Sequence, residues 1–241
     1  MPNAYFRFKQ FTVFQDRSAM KVTTDACLFG AWCASEIQHL NFKAGNLLDI
    51  GTGTGLLSLM VAQKNNIATD AVEIDKDAAR QAAENIGSSR WNEKITVHEQ
   101  DILSFHSRKK YDCVISNPPF YENELPSQKK EKNIAHHSFH LTLSQLFPYI
   151  KNVLNDQGTY FLLLPFKRIA EIESQLTRHE LFVHKKLVVQ QSTLHAPFRI
   201  LVSGGQTQIL PVRVSAISIW DEKQQYTPEF TALLRDYYLY L

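Results

Sequence analysis

Apolar and polar positions alternate along this chain in two rhythms. Short apolar runs that stop abruptly predict four buried strands: Leu47-Leu48-Asp49-Ile50, Thr69-Asp70-Ala71-Val72-Glu73-Ile74, Ile95-Thr96-Val97-His98 and Tyr111-Asp112-Cys113-Val114-Ile115-Ser116. After the first run, Leu56 to Lys64 sets Leu57, Met60 and Val61 on one helical face. After the second, the Ala- and Glu-rich stretch Asp77 to Ile86 predicts a helix closing near Gly87. Leu143 to Leu154 predicts a helix that ends before Asn155-Asp156-Gln157-Gly158. Thr159 to Leu164 is an almost wholly apolar fifth strand, and Phe166 to Arg178 is helical again. Strands alternating with helices build a mostly parallel sheet covered on both faces.

The remainder changes character. Leu181 to Gln190, Phe198 to Ser203 and Val212 to Trp220 predict strands without helices between them, so antiparallel pairing and a hairpin are expected. Pro228 to Leu241 predicts a closing helix anchored by Phe230, Tyr237, Tyr238 and Tyr240. The expected fold is α/β and Rossmann-like, with a seven-stranded, mostly parallel sheet, helices on both faces and an antiparallel C-terminal end. One domain over 1–241 is expected: a lead-in at 1–45 that closes a ligand site, an α/β core at 46–178, and the late strands and helix at 179–241.

Composition narrows the class. The chain has 241 residues, 44% of them hydrophobic, with nine Gly and nine Pro, which suits a folded protein with a sizeable core. A net charge of +2 does not by itself name nucleic acid as a partner. Basic residues cluster at Arg108-Lys109-Lys110, Lys129-Lys130 with Lys132, Lys167-Arg168 and Lys185-Lys186. Each cluster reads as a solvated surface or as part of one converging basic face. Cys27, Cys33 and Cys113 are scattered and odd in number, so buried free thiols are expected rather than disulfides. No Cys/His spacing resembles a zinc site. Met1-Pro2-Asn3-Ala4-Tyr5-Phe6-Arg7 lacks an apolar signal core and no apolar run spans a bilayer, so a cytoplasmic protein with no membrane partner is expected.

Candidate chemistry begins at Asp49-Ile50-Gly51-Thr52-Gly53-Thr54-Gly55. A strand, a glycine loop and a helix N-terminus bring backbone N–H groups within reach of a ligand. A dinucleotide site of the G-x-G-x-x-G type wants Gly where Leu56 stands, so the loop fits S-adenosylmethionine better than NAD. Glu73 ends the second strand about 20 residues beyond the loop, where a carboxylate can take both ribose hydroxyls of an adenosyl cofactor. Asp75 competes for that role but reads as a helix N-cap. Asp101 follows the third strand and can accept from the adenine amino group. Ile74 and Ile102 are the expected apolar clamps on the adenine ring. Asp49 holds the methionine amine, directly or through water, or else simply orders the loop.

The second candidate is Asn117-Pro118-Pro119-Phe120, just past the fourth strand. The Asn side chain and a Pro carbonyl can accept hydrogen bonds from one flat –NH2 group, and the aromatic ring can stack on the plane that carries it. Tyr121 is the alternative stacker. An Asn-Pro-Pro-aromatic step beside such a loop resembles the class I amino-methyltransferases, which act on –NH2 groups attached to sp2 carbon.

The likeness extends further. Phe14-Gln15-Asp16-Arg17, Met20-Lys21-Val22-Thr23-Thr24-Asp25-Ala26-Cys27-Leu28-Phe29-Gly30-Ala31-Trp32, Ala196-Pro197-Phe198-Arg199-Ile200-Leu201, Gln225-Tyr226-Thr227 and Asp236-Tyr237-Tyr238-Leu239 resemble the bacterial tRNA1(Val) adenosine-37 N6-methyltransferase family. Phe120 and Met20 depart from its commoner aromatic residues but keep the bulk, and Phe29 and Gly30 differ at positions read as packing. The resemblance implies methyl transfer from S-adenosylmethionine to adenine N6 in a tRNA anticodon stem-loop. It implies that Thr23, Thr24 and Asp25 help close the methionine end of the cofactor site. Asn117, Pro118 and Phe120 would be catalytic, with Asn117 also at the cofactor. Pro119, Phe120, Tyr121, Lys129, Lys130 and Lys132 would meet the RNA. Arg17 and Lys21 read either as contacts to a cofactor carboxylate or an RNA phosphate, or as structural ion pairs. His136, His137 and His140 read as surface or RNA contacts, and no metal is expected. A monomer is expected.

Other classes weaken on the residues. A protein-glutamine methyltransferase would carry a helical domain ahead of the loop, yet fewer than fifty residues precede Asp49. A DNA adenine methyltransferase would add a target-recognition domain. An rRNA base is a further planar amino group the tetrad could take. A non-catalytic RNA-binding module would be expected to have lost Gly51, Gly53, Glu73, Asp101 or Asn117.

Overall fold

The computed structural model describes residues 3–18, 20–40, 45–107, 109–118 and 141–241. A two-stranded hairpin opens the chain, β1 (Tyr5–Arg7) against β2 (Thr12–Phe14). Then come α1 (Thr24–His39), β3 (Gly45–Ile50), α2 (Leu56–Lys64), β4 (Ile67–Glu73), α3 (Lys76–Gly87), β5 (Ile95–Glu99) and β6 (Tyr111–Ser116). The later part holds α4 (Leu143–Val153), β7 (Leu154–Pro165), α5 (Ile169–Arg178), β8 (Phe182–Ser192), β9 (Pro197–Gly205), β10 (Arg213–Trp220) and α6 (Pro228–Leu234).

The central sheet has the order β10-β8-β9-β7-β6-β3-β4-β5. Successive residues of its strands enter opposite cores, because side chains alternate across a sheet. Leu47, Cys113, Ile115, Phe161 and Leu163 pack with α1, α2, α3, α6 and the N-terminal hairpin. Leu48, Val114, Tyr160, Leu162 and Leu164 pack with α4 and α5. A sheet covered on both faces explains why its strands read as continuous apolar runs.

The structure departs from the sequence expectation in particular places. Among the described residues the sheet has eight strands, where seven were expected. Only β9 runs against the rest: it is antiparallel to β7 and β8, while β10 pairs with β8 in parallel. The C-terminal end is thus one hairpin plus a parallel edge strand. β7 begins at Leu154, taking in the expected turn Asn155 to Gly158, and its pairing with β6 shifts register between Tyr111 and Cys113. The closing helix stops at Leu234. Phe230 and Tyr237 are buried anchors, but Tyr240 is 96% exposed and anchors nothing.

Helix α1 and the N-terminal hairpin were not legible as elements. α1 has little amphipathic contrast because most of its circumference is buried, from Ala26 to Ala34. Gly30 lies where α1 crosses α2: a Cβ there would meet Met60 Sδ at 2.6 Å. A larger residue at this position would therefore force the Met60 side chain to move. All three cysteines are free and buried, and burial pushes the Cys27 thiol up to about 12.

Candidate active site

Parallel strands end together at one edge of a sheet, and a crevice opens where the connections reverse direction. Here β3 is that strand, with β4 on one side and β6 on the other. Ile50 pairs with Val72 of β4 and with Ser116 of β6. Gly51 and Asn117 therefore leave the sheet side by side. The Ser116 hydroxyl donates to the Ile50 carbonyl at 2.9 Å and fixes that juxtaposition.

Gly51, Gly53 and Gly55 all have positive φ, at 71°, 57° and 81°. A Cβ at Gly51 or Gly53 would meet nothing within 4 Å, so both positions face open space that a ligand can enter. Gly55 points inward instead, at 3.2 Å from Ile86 Cδ1. The N–H groups of Gly51 and Thr52 both donate to the Val72 carbonyl, which folds the loop back over β4.

Asp49 is fully buried under this loop. Its Oδ2 accepts from the Thr52 hydroxyl at 2.6 Å and the Ser58 hydroxyl at 2.7 Å. Its Oδ1 is buried with no partner among the described residues. Burial raises its pKa to about 6, against the two hydroxyl bonds that lower it. One oxygen orders the loop and the other remains an open acceptor. Ser58 was missed in the sequence; the signal was a buried hydroxyl in the otherwise apolar face of α2.

Glu73 caps the other side. Its Oε2 accepts from Gly53 N at 2.8 Å and its Oε1 from Asp75 N at 2.9 Å. Burial raises its pKa, opposed by these backbone bonds. Asp75 is the N-cap of α3, accepting from Ala78 N at 2.8 Å. Asp101 sits at the same sheet edge and caps a short 3-10 turn through Leu103 N at 2.9 Å. The two isoleucines are unequal: Ile74 is 36% exposed, while Ile102 is 6% exposed and packs in the core beneath.

Asn117 is half-buried, and its Oδ1 is buried with no partner among the described residues. Pro118 is buried beside it. Pro119, Phe120, Tyr121, Lys129, Lys130, Lys132, His136, His137 and His140 lie outside the described residues.

The lead-in reaches the same edge. Thr23 is the N-cap of α1, with Thr24 its first residue, and both side chains are exposed. Asp25 accepts from Arg199 Nε at 2.9 Å. Arg199 pairs with Pro165, the last residue of β7. This ion pair, not visible in the sequence, ties the start of α1 to the carboxyl end of the sheet. Arg17 and Lys21 are both engaged within the fold. Arg17 pairs with Glu84 at 2.8 Å, and Lys21 Nζ donates to the carbonyls of Gln15 and Ser18. Lys109, Lys185 and Lys186 pair with Asp70, Glu36 and Glu173. Among the described residues no His, Cys, Asp and Glu gather at metal-binding geometry, and no helix is long and apolar enough to cross a membrane.

The glycine cradle, the open acceptor of Asp49 and the acidic end of β4 suit an adenosyl ligand carrying an amine. Comparison with known proteins agrees. Residues 33–164 match the methyltransferase small domain family. The protein named tRNA1(Val) (adenine(37)-N6)-methyltransferase in Dyadobacter fermentans is 39% identical over 241 residues, covering 98% of each chain. Its namesake in Phocaeicola vulgatus is 37% identical over 245 residues, covering 99% of each. A solved structure described as a predicted O-methyltransferase from Agrobacterium tumefaciens shares the fold. Its TM-score is 0.64 at 17% identity, over 88% of this chain and 96% of that one. With likeness along nearly its whole length and a glycine-loop site at the sheet's switch point, the chain belongs to the tRNA1(Val) (adenine(37)-N6)-methyltransferase family.

Proposed function

We propose that the protein transfers a methyl group from S-adenosylmethionine to N6 of adenosine 37 in tRNA1(Val). The observation that carries the reading is Asn117: a buried side-chain oxygen beside the glycine loop, with no partner among the described residues. A buried acceptor without a donor costs stability, so its presence points to a ligand group that completes it.

An amino group on an aromatic ring is a poor nucleophile because its lone pair is delocalised. Asn117 Oδ1 and the Pro118 carbonyl would accept its two N–H groups, favour a more tetrahedral nitrogen and aim the lone pair at the methyl donor. S-adenosylmethionine supplies a methyl on a sulfonium, which is already a good leaving group. The N–CH3 bond forms as the S–CH3 bond breaks, and the extra N6 proton then leaves to solvent. Positioning and electrostatics suffice, without a strong base.

Glu73 would take the ribose hydroxyls, Asp101 the adenine amino group and Ile74 the exposed face of the adenine ring, with Ile102 beneath. Asp49 Oδ1 would take the methionine amine. Thr23 and Thr24 would close that end, held there by Asp25 and Arg199. Phe120 or Tyr121 would stack on an adenine taken out of its own stack, next to Pro119. Lys129, Lys130 and Lys132 would meet phosphates of the anticodon stem-loop. The residues 1–241 would act as one methyltransferase unit, a monomer in the cytoplasm.

The test incubates purified protein with labelled S-adenosylmethionine and unmodified total tRNA, followed by digestion and nucleoside analysis. Label in N6-methyladenosine at position 37 is expected. Label in protein alone, or in another nucleoside, overturns the reading.

A further inference from the structure

Helix α3 carries two amides on its buried face, Gln81 at 1% and Asn85 at 2% exposure. An apolar side chain would fill such a place with less desolvation cost, so the question is what these amides hold. Asn85 is fully satisfied. Its Nδ2 donates to the Thr54 carbonyl at 2.9 Å and to the Phe14 carbonyl at 2.9 Å. Its Oδ1 accepts from Phe14 N at 2.9 Å. One amide thus pairs with both backbone groups of β2's last residue, as a neighbouring strand would, and with the glycine loop as well.

The connection continues along the lead-in. Gln15 follows Phe14 and is 5% exposed. Its Oε1 accepts from Val22 N at 2.7 Å, and its Nε2 donates to the Asn3 carbonyl at 2.8 Å. Val22 directly precedes Thr23, the cap of α1. Gln81 adds a parallel tie, accepting from Arg17 N at 3.1 Å. Hydrogen bonds, buried at Thr54 and part-buried beyond it, alternate with chain links from Thr54 through Asn85, Phe14, Gln15 and Val22 to Thr23. The loop itself is clamped from two sides, by Glu73 at Gly53 and by Asn85 at Thr54.

We propose that Asn85 and Gln15 are positioning residues that couple the glycine loop to the segment Lys21–Asp25, so that S-adenosylmethionine bound at the loop also orders the start of α1. Neither side chain need touch the ligand. The inference rests on the loop being the S-adenosylmethionine site.

Calorimetric titration of the full chain with S-adenosylmethionine, at a temperature where each variant retains its native circular dichroism, tests the coupling. Asn85→Asp keeps the shape but turns the donor toward the Thr54 and Phe14 carbonyls into an acceptor, and Gln15→Leu removes the ties to Val22 and Asn3. Each is expected to raise Kd about tenfold, about 1.4 kcal/mol of lost coupling. The double variant is expected to stay near the single ones, because both break one series, rather than reach about a hundredfold. Hydrogen exchange supplies a second readout: ligand slows exchange at 21–25 in the wild type and no longer does so in either variant. Additive losses, or wild-type affinity and protection in Gln15→Leu, overturn the coupling even if Asn85→Asp fails to fold. A wild-type chain that does not bind S-adenosylmethionine overturns the functional reading instead, and this inference with it.

Discussion

One carboxamide and one carboxylate oxygen at this site, Asn117 Oδ1 and Asp49 Oδ1, are buried with no donor among the described residues. Each leads to a distinct expectation. Asn117→Ala removes an acceptor needed only when the nitrogen reacts. It should lower kcat about a hundredfold while leaving the Kd of S-adenosylmethionine within about twofold. Single-turnover methylation and equilibrium binding separate the two, and unchanged turnover would show Asn117 to be structural. For Asp49, burial raises the folded-state pKa from 3.8 to about 6. The folded protein binds this proton more tightly than the unfolded chain does. The contribution to stability is therefore full below about pH 4 and is lost as pH rises through 6, a cost of about 3 kcal/mol at neutral pH. Asp49→Asn should raise Tm at pH 7 and lose that advantage near pH 4, as thermal melts across pH would record. The same variant should bind S-adenosylmethionine weakly at pH 7. The wild type should approach that weak binding as pH falls below about 6.

At the scale of the element, two glycines test whether a backbone position serves the ligand or the fold. Gly53→Ala places a Cβ in open space at a positive φ, costing about 1 kcal/mol in folding. It should melt only slightly earlier but bind S-adenosylmethionine much more weakly. Gly204→Ala would drive its Cβ to 1.9 Å from the Phe182 carbonyl, across the β8–β9 hairpin. Loss of soluble protein is expected, with no separate effect on binding to measure. Comparable melting of the two variants would refute the contrast. Such differences bear on what was legible beforehand. Strands β3 to β6 and helix α2 could be read because apolar runs ended at glycine or a cap, a local signal. So could the gathering of Gly51, Gly53, Glu73 and Asn117 at one edge, since each lies at or just past the end of a strand. α1 could not be read, because a helix buried on most sides has no polar stripe to reveal it. The Asp25–Arg199 pair and the Asn85 ties join residues far apart in sequence, and no spacing rule points to them.

For the molecule as a whole, a net charge of +2 leaves little general attraction to RNA. Lys109, Lys185 and Lys186 are already committed to carboxylates. Affinity for tRNA must come from a local set of cations, for which Lys129, Lys130 and Lys132 are proposed. Replacing all three by Ala should weaken tRNA binding and flatten the log–log salt dependence by about two units, while S-adenosylmethionine binding stays unchanged. An unaltered slope would place the phosphate contacts elsewhere. The single reversed strand, β9, has a different kind of consequence. Its neighbours β7 and β8 both precede it in the chain, and the other neighbour of β8 is β10. As the polypeptide is synthesised, β8 thus emerges with no partner in the sheet, and β7 waits as an open edge until residue 205 has been made. Strands β3 to β7, with the ligand loop, can assemble before then. Chains halted at Ser192 should accordingly be captured by chaperones or aggregate through the bare flank of β7. Chains extended past β10 should resist protease, so the order of manufacture makes the last hairpin the keystone of the sheet.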